Sequence, residues 1–204
     1  VYSSKVVINA YDKEAFEIQK EYKATSYDLV ATRLVQSEND VLYVIFTQTV
    51  KDDSKPEQMI DKHDASMDYS NICYFKNVMC QCYTMVVSLK LDDDLDIKSN
   101  CQFSFSHWDI ANVNENSIYL VATKYGWNYL RNNKETAIPY IIDYRCNNSV
   151  VKYSINDGDI TLDTMLITNG EIINQYAIDE YNGYLRIALS EKNNNRVEIY
   201  KLEE

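Results

Sequence analysis

The residues best suited to chemistry stand together in one triplet, His107-Trp108-Asp109, which joins a base, an aromatic ring and an acid. Such a triplet could form the floor of a pocket. The simpler interpretation is packing, because an indole ring buries a large apolar area. Trp108 would then pack between sheets, with His107 as its partly buried neighbour. The sequence has no Gly-x-Ser-x-Gly elbow, and nucleophilic acyl chemistry therefore has little support.

A dense carboxylate turn contains Asp92, Asp93, Asp94 and Asp96. Calcium takes about six to eight oxygens from loops of this kind, but the glycine and the glutamate that an EF-hand loop requires are missing here. Asp157-Gly158-Asp159 stands at the equivalent turn one repeat later, which favours ordinary turn chemistry. We therefore expect a solvated turn and no cofactor, with calcium binding as the alternative.

The five cysteines follow no metal or redox spacing: they are Cys73, Cys80, Cys82, Cys101 and Cys146. A single residue separates Cys80 from Cys82, whereas zinc and redox motifs use Cys-x-x-Cys. Only two histidines are available to complete a zinc site. We therefore predict no metal site, and buried thiols with room for one disulfide whose partners the sequence leaves open.

The net charge of −11 limits the partners of the chain. A surface this acidic repels a phosphate backbone and anionic lipid headgroups, so we expect neither nucleic-acid binding nor anionic-membrane binding. No apolar run approaches the roughly 18 residues of a membrane span. The opening VYSSKVVINAYD is typical of a strand rather than a signal peptide, which indicates a cytosolic protein, a removed leader or part of a longer protein.

Strands must position these residues, because helical periodicity is almost absent from the sequence. Residues 13–23 could form an amphipathic helix or a strand, and their neighbours favour the strand. Elsewhere, short apolar runs rich in β-branched and aromatic residues alternate with turns of Asn, Asp and Ser. The runs are 5–11, 29–35, 41–48, 83–91, 101–106, 108–113, 117–125, 138–145, 150–155, 161–168, 174–180, 184–190 and 197–202. The pattern predicts an all-β, antiparallel fold.

Asn182-Gly183 predicts a tight hairpin between strands 174–180 and 184–190. Asn and Gly accept the positive φ angles of a type I′ turn, whose twist matches that of paired strands. Two similar hairpins are predicted upstream, at 34–47 and 109–123. In all three, a tyrosine lies early in the second strand: Tyr43, Tyr119 and Tyr184.

Each hairpin is followed by an insert of variable length and then by an apolar strand, at 86–91, 150–155 and 197–202. After the first two of these strands, a turn and one more strand follow. Four antiparallel strands per unit are typical of a β-propeller blade, and the opening residues repeat the last two strands of such a unit. We predict a partial β-propeller of about three blades. Closed propellers use about four to eight blades, so the chain is either a fragment of a larger propeller or one of two copies that join through open sheet edges.

The segment NQYAIDEYNGYLRIALS, residues 174–190, resembles the NQFSMDEYNGYLRIATT-like signature of a bacterial and archaeal β-propeller domain family. Members of that family are secreted proteins, distantly related to WD40 repeats. The similarity extends to TSYDLVATRLVQSENDVLYVIFTQ, SMDYSNICYFKN, YTMVVSLKLDD and SHWDIANVNENSIYLVAT. The resemblance implies a propeller fold and export from the cytoplasm, and it implies no established activity or catalytic residue. Family members are much longer than this chain, which would begin and end in mid-blade.

The candidate binding residues are aromatic and lie mainly in two inserts, 49–82 and 126–148. Long loops on a rigid scaffold often carry function, and exposed aromatic rings anchor protein or carbohydrate surfaces. The alternative is that these rings pack over the outer strand of a blade and seal it. The candidates are Tyr69, Tyr74, Phe75, Trp127 and Tyr129, together with Trp108 and His107.

The sequence therefore predicts one β-propeller domain segment over residues 1–204. We expect a non-catalytic binding or scaffolding module that is secreted or held at the cell surface, with a protein or carbohydrate ligand. The alternative is a hydrolase or lyase with carboxylates near the propeller axis. A third possibility is an assembly element whose open sheet edges pair with a second copy.

Overall fold

The computed structural model describes residues 5–11, 14–15, 17–25, 28–36, 40–49, 72–75, 78, 82–90, 98–105, 108–130, 140–191 and 194–202. Within these residues the chain forms fourteen strands and one short 3-10 helix. The strands are β1 (Lys5–Tyr11), β2 (Ile18–Thr25), β3 (Asp28–Gln36), β4 (Asp40–Thr49), β5 (Ile72–Tyr74), β6 (Cys82–Lys90), β7 (Lys98–Phe105), β8 (Ile110–Val113), β9 (Ser117–Leu130), β10 (Tyr140–Asn156), β11 (Asp159–Asn169), β12 (Ile178–Tyr181), β13 (Tyr184–Glu191) and β14 (Asn194–Lys201). The predicted all-β class is confirmed.

The strands form four sheets, with orders β1-β2, β3-β4-β6-β7-β5, β8-β9-β10-β11 and β12-β13-β14. Chain neighbours pair antiparallel within these sheets, as in β3-β4 and β13-β14. The exception is β5, which runs parallel to β7 at the edge of its sheet. Two sheets thus contain the predicted set of four strands in chain order, one of them with β5 added, and the described part of the last sheet contains three.

The chain divides into two compact units, one formed by 1–107, 113–117 and 153–162 and the other by 108–112, 118–152 and 163–204. In the first unit, both faces of β4 are buried along most of its run VLYVIF, which is apolar at every position. Strand β6 pairs along one edge of β4. In the second unit, the core joins β9, β10 and β13 through buried residues that include Tyr119, Val121, Val150, Leu185 and Ile187.

Two tight turns have the backbone that their residues predict. Asn182 has a φ of 51° and Gly183 a φ of 73°, and Tyr181 pairs with Tyr184 across the turn. The type I′ hairpin is therefore confirmed. Asp157 and Gly158 also have positive φ, at 45° and 93°, which confirms ordinary turn chemistry between β10 and β11.

The structure departs from the predicted strands at two places. Residues 14–15 form a turn and the strand begins only at Ile18; it pairs with β1, so the helical alternative is wrong. The predicted strand 174–180 begins instead with a 3-10 turn over Gln175–Ala177. The side chain of Asn174 accepts a hydrogen bond from the Tyr176 N–H at 2.9 Å, and this cap competes locally with strand pairing.

Much of the insert predicted at 126–148 consists of strand. Strand β9 continues to Leu130 and β10 begins at Tyr140, so the separate runs at 138–145 and 150–155 belong to one strand. The intervening Asn148 is buried, and its amide is satisfied by Thr123 Oγ1 at 3.1 Å and by the Gly170 carbonyl at 2.5 Å. A buried polar side chain with its hydrogen bonds made does not interrupt a sheet.

Candidate binding surface on the last sheet

The early tyrosines of the three hairpins have different environments. Tyr43 is 2% exposed and Tyr119 is 0% exposed, whereas Tyr184 is 44% exposed. The Gly158 N–H donates to the Tyr43 hydroxyl at 3.2 Å, and the Tyr119 hydroxyl donates to Glu180 Oε2 at 2.5 Å. Burial raises the pKa of Tyr43. The same position in the repeat is thus interior in β4 and β9 and lies at the surface in β13.

The sheet β12-β13-β14 has one covered side and one open side. Side chains alternate between the two faces of a strand, and Leu185, Ile187 and Leu189 of β13 all point into the core of the second unit. The residues between them and their partners across the strands form the other side, which we call the open face. Its members are Asp179, Tyr181, Tyr184, Arg186, Ala188, Val197, Ile199 and Lys201.

Tyr181 and Tyr184 form a directly opposed pair on the open face. Tyr181 is 61% exposed, and the Arg186 guanidinium lies 5.3 Å from the centre of its ring. Arg186 also forms an ion pair with Asp179, its neighbour across the strands. Stacking of an arginine on a tyrosine ring contributes about 0.5–1 kcal/mol at an exposed site. The Tyr181–Tyr184 pair therefore forms an aromatic surface at one end of the open face, and the Arg186–Asp179 ion pair helps to hold the Tyr181 ring in place.

A groove of about 340 Å³ lies beside the open face. This volume falls at the small end of the range for ligand pockets, about 300–1,000 Å³. The Ser190 hydroxyl donates to Asn195 Oδ1 at 3.1 Å and contributes polar groups to a mainly apolar lining. The lining includes Ile173, Ala188, Leu189, Val197, Ser190 and Asn195.

A cluster of charged residues surrounds the buried side chain of Lys152 in the second unit. The ammonium of Lys152 lies 3.1 Å from Asp163 Oδ2 and 3.7 Å from Glu180 Oε1, and its side chain is only 10% exposed. Because Glu180 also accepts the Tyr119 hydroxyl, the cluster joins β9, β10, β11 and β12. Sequence reasoning missed it, although a lysine inside the apolar run VVKYSI was a signal. Its one ammonium lies between two carboxylates, and the Tyr119 hydroxyl donates a hydrogen bond to one of them, so the charges of the cluster are paired and hydrogen-bonded as in a structural site.

A second polar cluster surrounds Glu198 on the covered side of β14. Glu198 accepts hydrogen bonds from Thr168 and Tyr200, both at 2.5 Å, and from Arg196 Nε at 2.9 Å. Burial acts to raise the pKa of Glu198, but these hydrogen bonds outweigh it and the pKa is lowered. The pKa of Tyr200 is raised, first by burial and then by its bond to Glu198. This cluster attaches β14 to the C-terminal end of β11, where Thr168 lies.

Of the predicted site residues, the structure describes the side chains of Tyr74, Phe75 and Trp108. Tyr74 is 63% exposed on β5, but Phe75 beside it is 8% exposed and Trp108 is 2% exposed, so both of these rings are buried. The burial of Trp108 agrees with the packing interpretation. Trp127 and Tyr129 lie on β9, with side chains outside the described set, and Tyr69 and His107 lie outside the described residues.

The acid of the triplet has a structural role. Asp109 Oδ2 accepts a hydrogen bond from the Thr123 N–H at 2.7 Å, and the Asp109 N–H donates to the Val121 carbonyl at 2.8 Å. These bonds fix the start of β8 against β9. A carboxylate used in this way positions a strand end rather than a substrate.

Among the described residues, no group of three or more His, Cys, Asp or Glu side chains could hold a metal ion. The aspartates at 92–96 lie outside the described residues. Cys73, Cys82 and Cys146 are thiols rather than half-cystines. Burial raises the pKa of the Cys82 and Cys146 thiols, which lowers their nucleophilic fraction at neutral pH.

Repeated sheets of antiparallel strands, taken in chain order, are the architecture of propeller blades. A sequence profile described as Beta propeller domain matches residues 2–204. The chain belongs to the Beta propeller domain family. The suspected family and the predicted partial propeller are thereby confirmed, with β3-β4-β6-β7 and β8-β9-β10-β11 as four-stranded blades of this Beta propeller domain chain.

Other comparisons add no relative: searches of curated proteins and of solved structures gave no match to this Beta propeller domain chain. In the part of the chain that the structure describes, no helix has the length and apolar character to cross a membrane.

Proposed function

We propose that this propeller segment is a non-catalytic binding module whose open face contacts a protein or a carbohydrate. The observation that carries the proposal is the exposed Tyr181–Tyr184 pair, ordered by Arg186. Tyrosine offers a large amphipathic surface and loses little side-chain freedom on binding. A contiguous exposed apolar patch on a folded domain commonly marks an interaction site.

The composition of the open face supports a partner without a strong net charge. Asp179 and Arg186 neutralise each other, and the rest of the face is aromatic or aliphatic apart from Lys201. The chain as a whole carries a net charge of −11, which repels polyanions. Sugar rings and protein surfaces that carry apolar groups can pack on such a face, and they are not repelled as polyanions are.

Tyr74 supports a second contact area on the same module, because its ring is exposed on β5. The insert aromatics Tyr69, Trp127 and Tyr129 stay proposed ligand contacts. The alternative of a hydrolase or lyase gains no support from the partly buried carboxylates that the structure describes. Glu180 and Glu198 both hold strands together through hydrogen bonds.

The proposed module acts outside the cell, as the family resemblance implies, and needs no cofactor. Fractionation of the cells that produce it should recover the protein in the medium or at the surface.

A calcium titration should leave the melting temperature unchanged, because binding to the native state alone would raise it. A rise of several degrees would instead favour the alternative that the chain binds calcium.

Binding of the labelled chain to intact producer cells tests the module directly. Wild type should bind, and the double variant Tyr181→Ala/Tyr184→Ala should bind at least about tenfold more weakly, since buried aromatic anchors contribute 2 kcal/mol or more. Tyr11→Ala is the matched control, because Tyr11 is 56% exposed and belongs to β1 rather than to the sheet that carries the open face. Prior protease or glycosidase treatment of the cells separates a protein partner from a carbohydrate. Equal binding by all three proteins would refute the proposed surface.

A further inference from the structure

Strands β9 and β10 continue past the ends of both of their neighbours in the sheet. The described bonds on the β8 side reach Thr123, whose N–H donates to the Asp109 carboxylate at 2.7 Å. On the β11 side they reach Cys146, whose carbonyl accepts the Gly170 N–H at 2.8 Å. Beyond these points, no third strand of the described part of the chain lies beside β9 or β10. We call the two segments the arm: residues 124–130 of β9 and 140–145 of β10.

The register of β9 and β10 extends into the arm. Thr123 Oγ1 and Asn148 Oδ1 lie 3.1 Å apart across the two strands, and the Ile155 N–H donates to the Asn116 carbonyl at 2.9 Å. Both pairs fit one antiparallel register. Its continuation places each odd-numbered residue of β9 opposite an even-numbered residue of β10.

This register gives the arm one aromatic face and one polar face. Side chains alternate between the two faces of a strand, so the odd-numbered residues of β9 share a face with the even-numbered residues of β10. That face of the arm has no charged residue, and its members are Tyr125, Trp127, Tyr129, Tyr140, Ile142 and Tyr144. The opposite face has all the charged residues of the arm: Lys124, Asp143 and Arg145.

The aromatic residues of β9 also carry the backbone groups of its open edge. The Val121 carbonyl and the Thr123 N–H both point toward the β8 side, because both bond Asp109. Groups that point to the same edge recur at every second residue of a strand. Past the end of β8, the N–H and C=O groups at this edge are therefore those of Tyr125, Trp127 and Tyr129.

The open edge of β9 favours a peptide over other partners. Two strands alone are marginal in water, and a third strand would stabilise them. A peptide backbone can pair with the N–H and C=O groups of an edge in a regular ladder, which a polysaccharide cannot do. Strand β9 contains no proline, whereas Pro139 directly precedes β10. Because proline protects sheet edges, β9 offers the better edge of the arm.

The two faces of the arm specify the residues of that peptide. Aromatic residues pair well with β-branched aliphatic residues across neighbouring strands. On the other face, Lys124 is exposed and complements an acidic residue. Residues 124–145 contain four Lys or Arg and two Asp or Glu, although the whole chain has a net charge of −11. The local charge is thus opposite in sign to that of the chain, which favours an acidic partner.

We propose that the edge of β9 at 124–130 is a strand-addition site for an extended segment of another protein in which aliphatic and acidic residues alternate. The added strand runs antiparallel to β9 and continues the position of β8 in the sheet. Its aliphatic residues share the face of the aromatic residues, and its acidic residues share the face of Lys124. The proposal rests on the proposed function in treating Trp127 and Tyr129 as ligand contacts, and it makes no use of the open face.

Fluorescence anisotropy with labelled peptides tests the proposal on the wild-type chain. The probe is a peptide of about nine residues in which Val and Glu alternate, which is long enough to span the arm. The chain should bind it saturably at about 0.15 M salt. A peptide in which Val and Lys alternate should bind at least about tenfold more weakly, although the net charge of −11 attracts it.

Peptides with N-methyl groups test the backbone contact. In an antiparallel pair, directly opposed residues share a face and exchange hydrogen bonds at every second position. The Val residues of the probe therefore turn their N–H groups to β9, and the Glu residues turn theirs away. Methylation of the Val nitrogens should weaken binding at least about tenfold, because ladder hydrogen bonds are lost. Methylation of the Glu nitrogens is the matched control and should change binding by less than about twofold.

Variants of the chain test the two faces. Trp127→Ala should bind the Val–Glu probe at least about tenfold more weakly, and Tyr11→Ala, at an exposed ring of β1, should bind it like wild type. Lys124→Glu should weaken binding about threefold or more. Its control is Arg33→Glu, which reverses an exposed charge on β3. Circular dichroism and thermal melting establish that each variant is folded, and the N-methyl comparison needs the wild-type chain alone.

Three results would overturn the proposal. The first is a Val–Glu probe that does not bind, and the second is an equal effect of methylation at Val and at Glu. The third is binding of polygalacturonate that depends on Trp127 while the probe does not bind, which would assign the arm to an acidic carbohydrate. Cell binding by the Tyr181 and Tyr184 variants reports on the open face alone. Loss of the arm proposal would therefore leave the open face as proposed, and the two can fail separately.

Discussion

Strands β9 and β13 begin with similar sequences but differ in how deeply their side chains are buried. SIYLVA (117–122) and NGYLRI (182–187) align Tyr119 with Tyr184 and Val121 with Arg186. Both faces of β9 are buried over this stretch, whereas alternate residues of β13 are exposed. The hairpin sequence therefore determines the local strand pairing, and packing against the rest of the described core determines whether a repeat position is buried or exposed.

The largest expected difference concerns the two tyrosines. Tyr119→Ala should destabilise the chain by about 3–5 kcal/mol, the range for removing a buried aromatic ring, whereas Tyr184→Ala should cost at most about 1 kcal/mol. Urea unfolding measures both values. Should Tyr119→Ala fail to fold, Tyr119→Phe keeps the ring and removes the hydroxyl that bonds Glu180, at about 1 kcal/mol. Equal losses at the two positions would contradict the comparison.

The turn between β12 and β13 should give the next largest effect. Gly183→Ala should cost about 1–2 kcal/mol, because a side chain in the left-handed region is strained. A Cβ at Gly183 would meet no atom within 4 Å, so the loss reports backbone conformation alone. Asn182→Gly is the matched control, since it keeps the positive φ and should be nearly neutral in the same thermal or urea melts. A neutral Gly183→Ala would mean that the turn is not type I′.

Acid titration compares the polar cluster of β14 with the rest of the chain. The pKa of Glu198 is lower in the folded state than its ordinary value near 4.5. Glu198 therefore contributes stability above its unfolded pKa, and this contribution is lost as the pH falls through the folded value. Glu198→Gln should be less stable than wild type at pH 7 by about 1 kcal/mol or less after allowance for solvent screening, and the gap should close as the solution is acidified.

Tyr200→Phe is the control for the acid titration, because it removes one of the donors to Glu198. Because Glu198 keeps its other donors in this variant, the stability of Tyr200→Phe should still fall on acidification, though by less than that of wild type. If the difference in the free energy of unfolding between wild type and Glu198→Gln stays constant from neutral to acidic pH, protonation of Glu198 is not linked to folding.

The smallest effect is expected at Arg186. Arg186→Gln removes an exposed ion pair and a cation–π contact, and should lower the free energy of unfolding by no more than about 1 kcal/mol. Val121→Ala, at the aligned buried position, should cost about 2 kcal/mol or more. Chemical denaturation of both variants sharpens the contrast. A larger loss at Arg186 than at Val121 would show that the open face is covered.

The sequence predicted what depends on neighbours along the chain. Asn182-Gly183 predicted its turn because the required φ angles belong to those two residues, and the alternation of short apolar runs predicted the strands. The 3-10 turn at 175–177 was missed because Asn174 can cap as well as extend. The exposure of Tyr184 was beyond local reasoning, since it depends on which sheet packs against β13. A signal existed at Arg186, where the aligned residues Ile45 and Val121 are apolar.

The one-sided burial of β13 also has a kinetic consequence. A strand held by a core on one face only opens at a lower free energy than one enclosed on both. Proteases that cut transiently opened chains sample such openings in proportion to their population. The first cleavage in the described part of the chain should therefore fall between β12 and β14, while the enclosed β4 and β9 stay intact, and limited digestion would release this corner of the protein before the global unfolding of the chain.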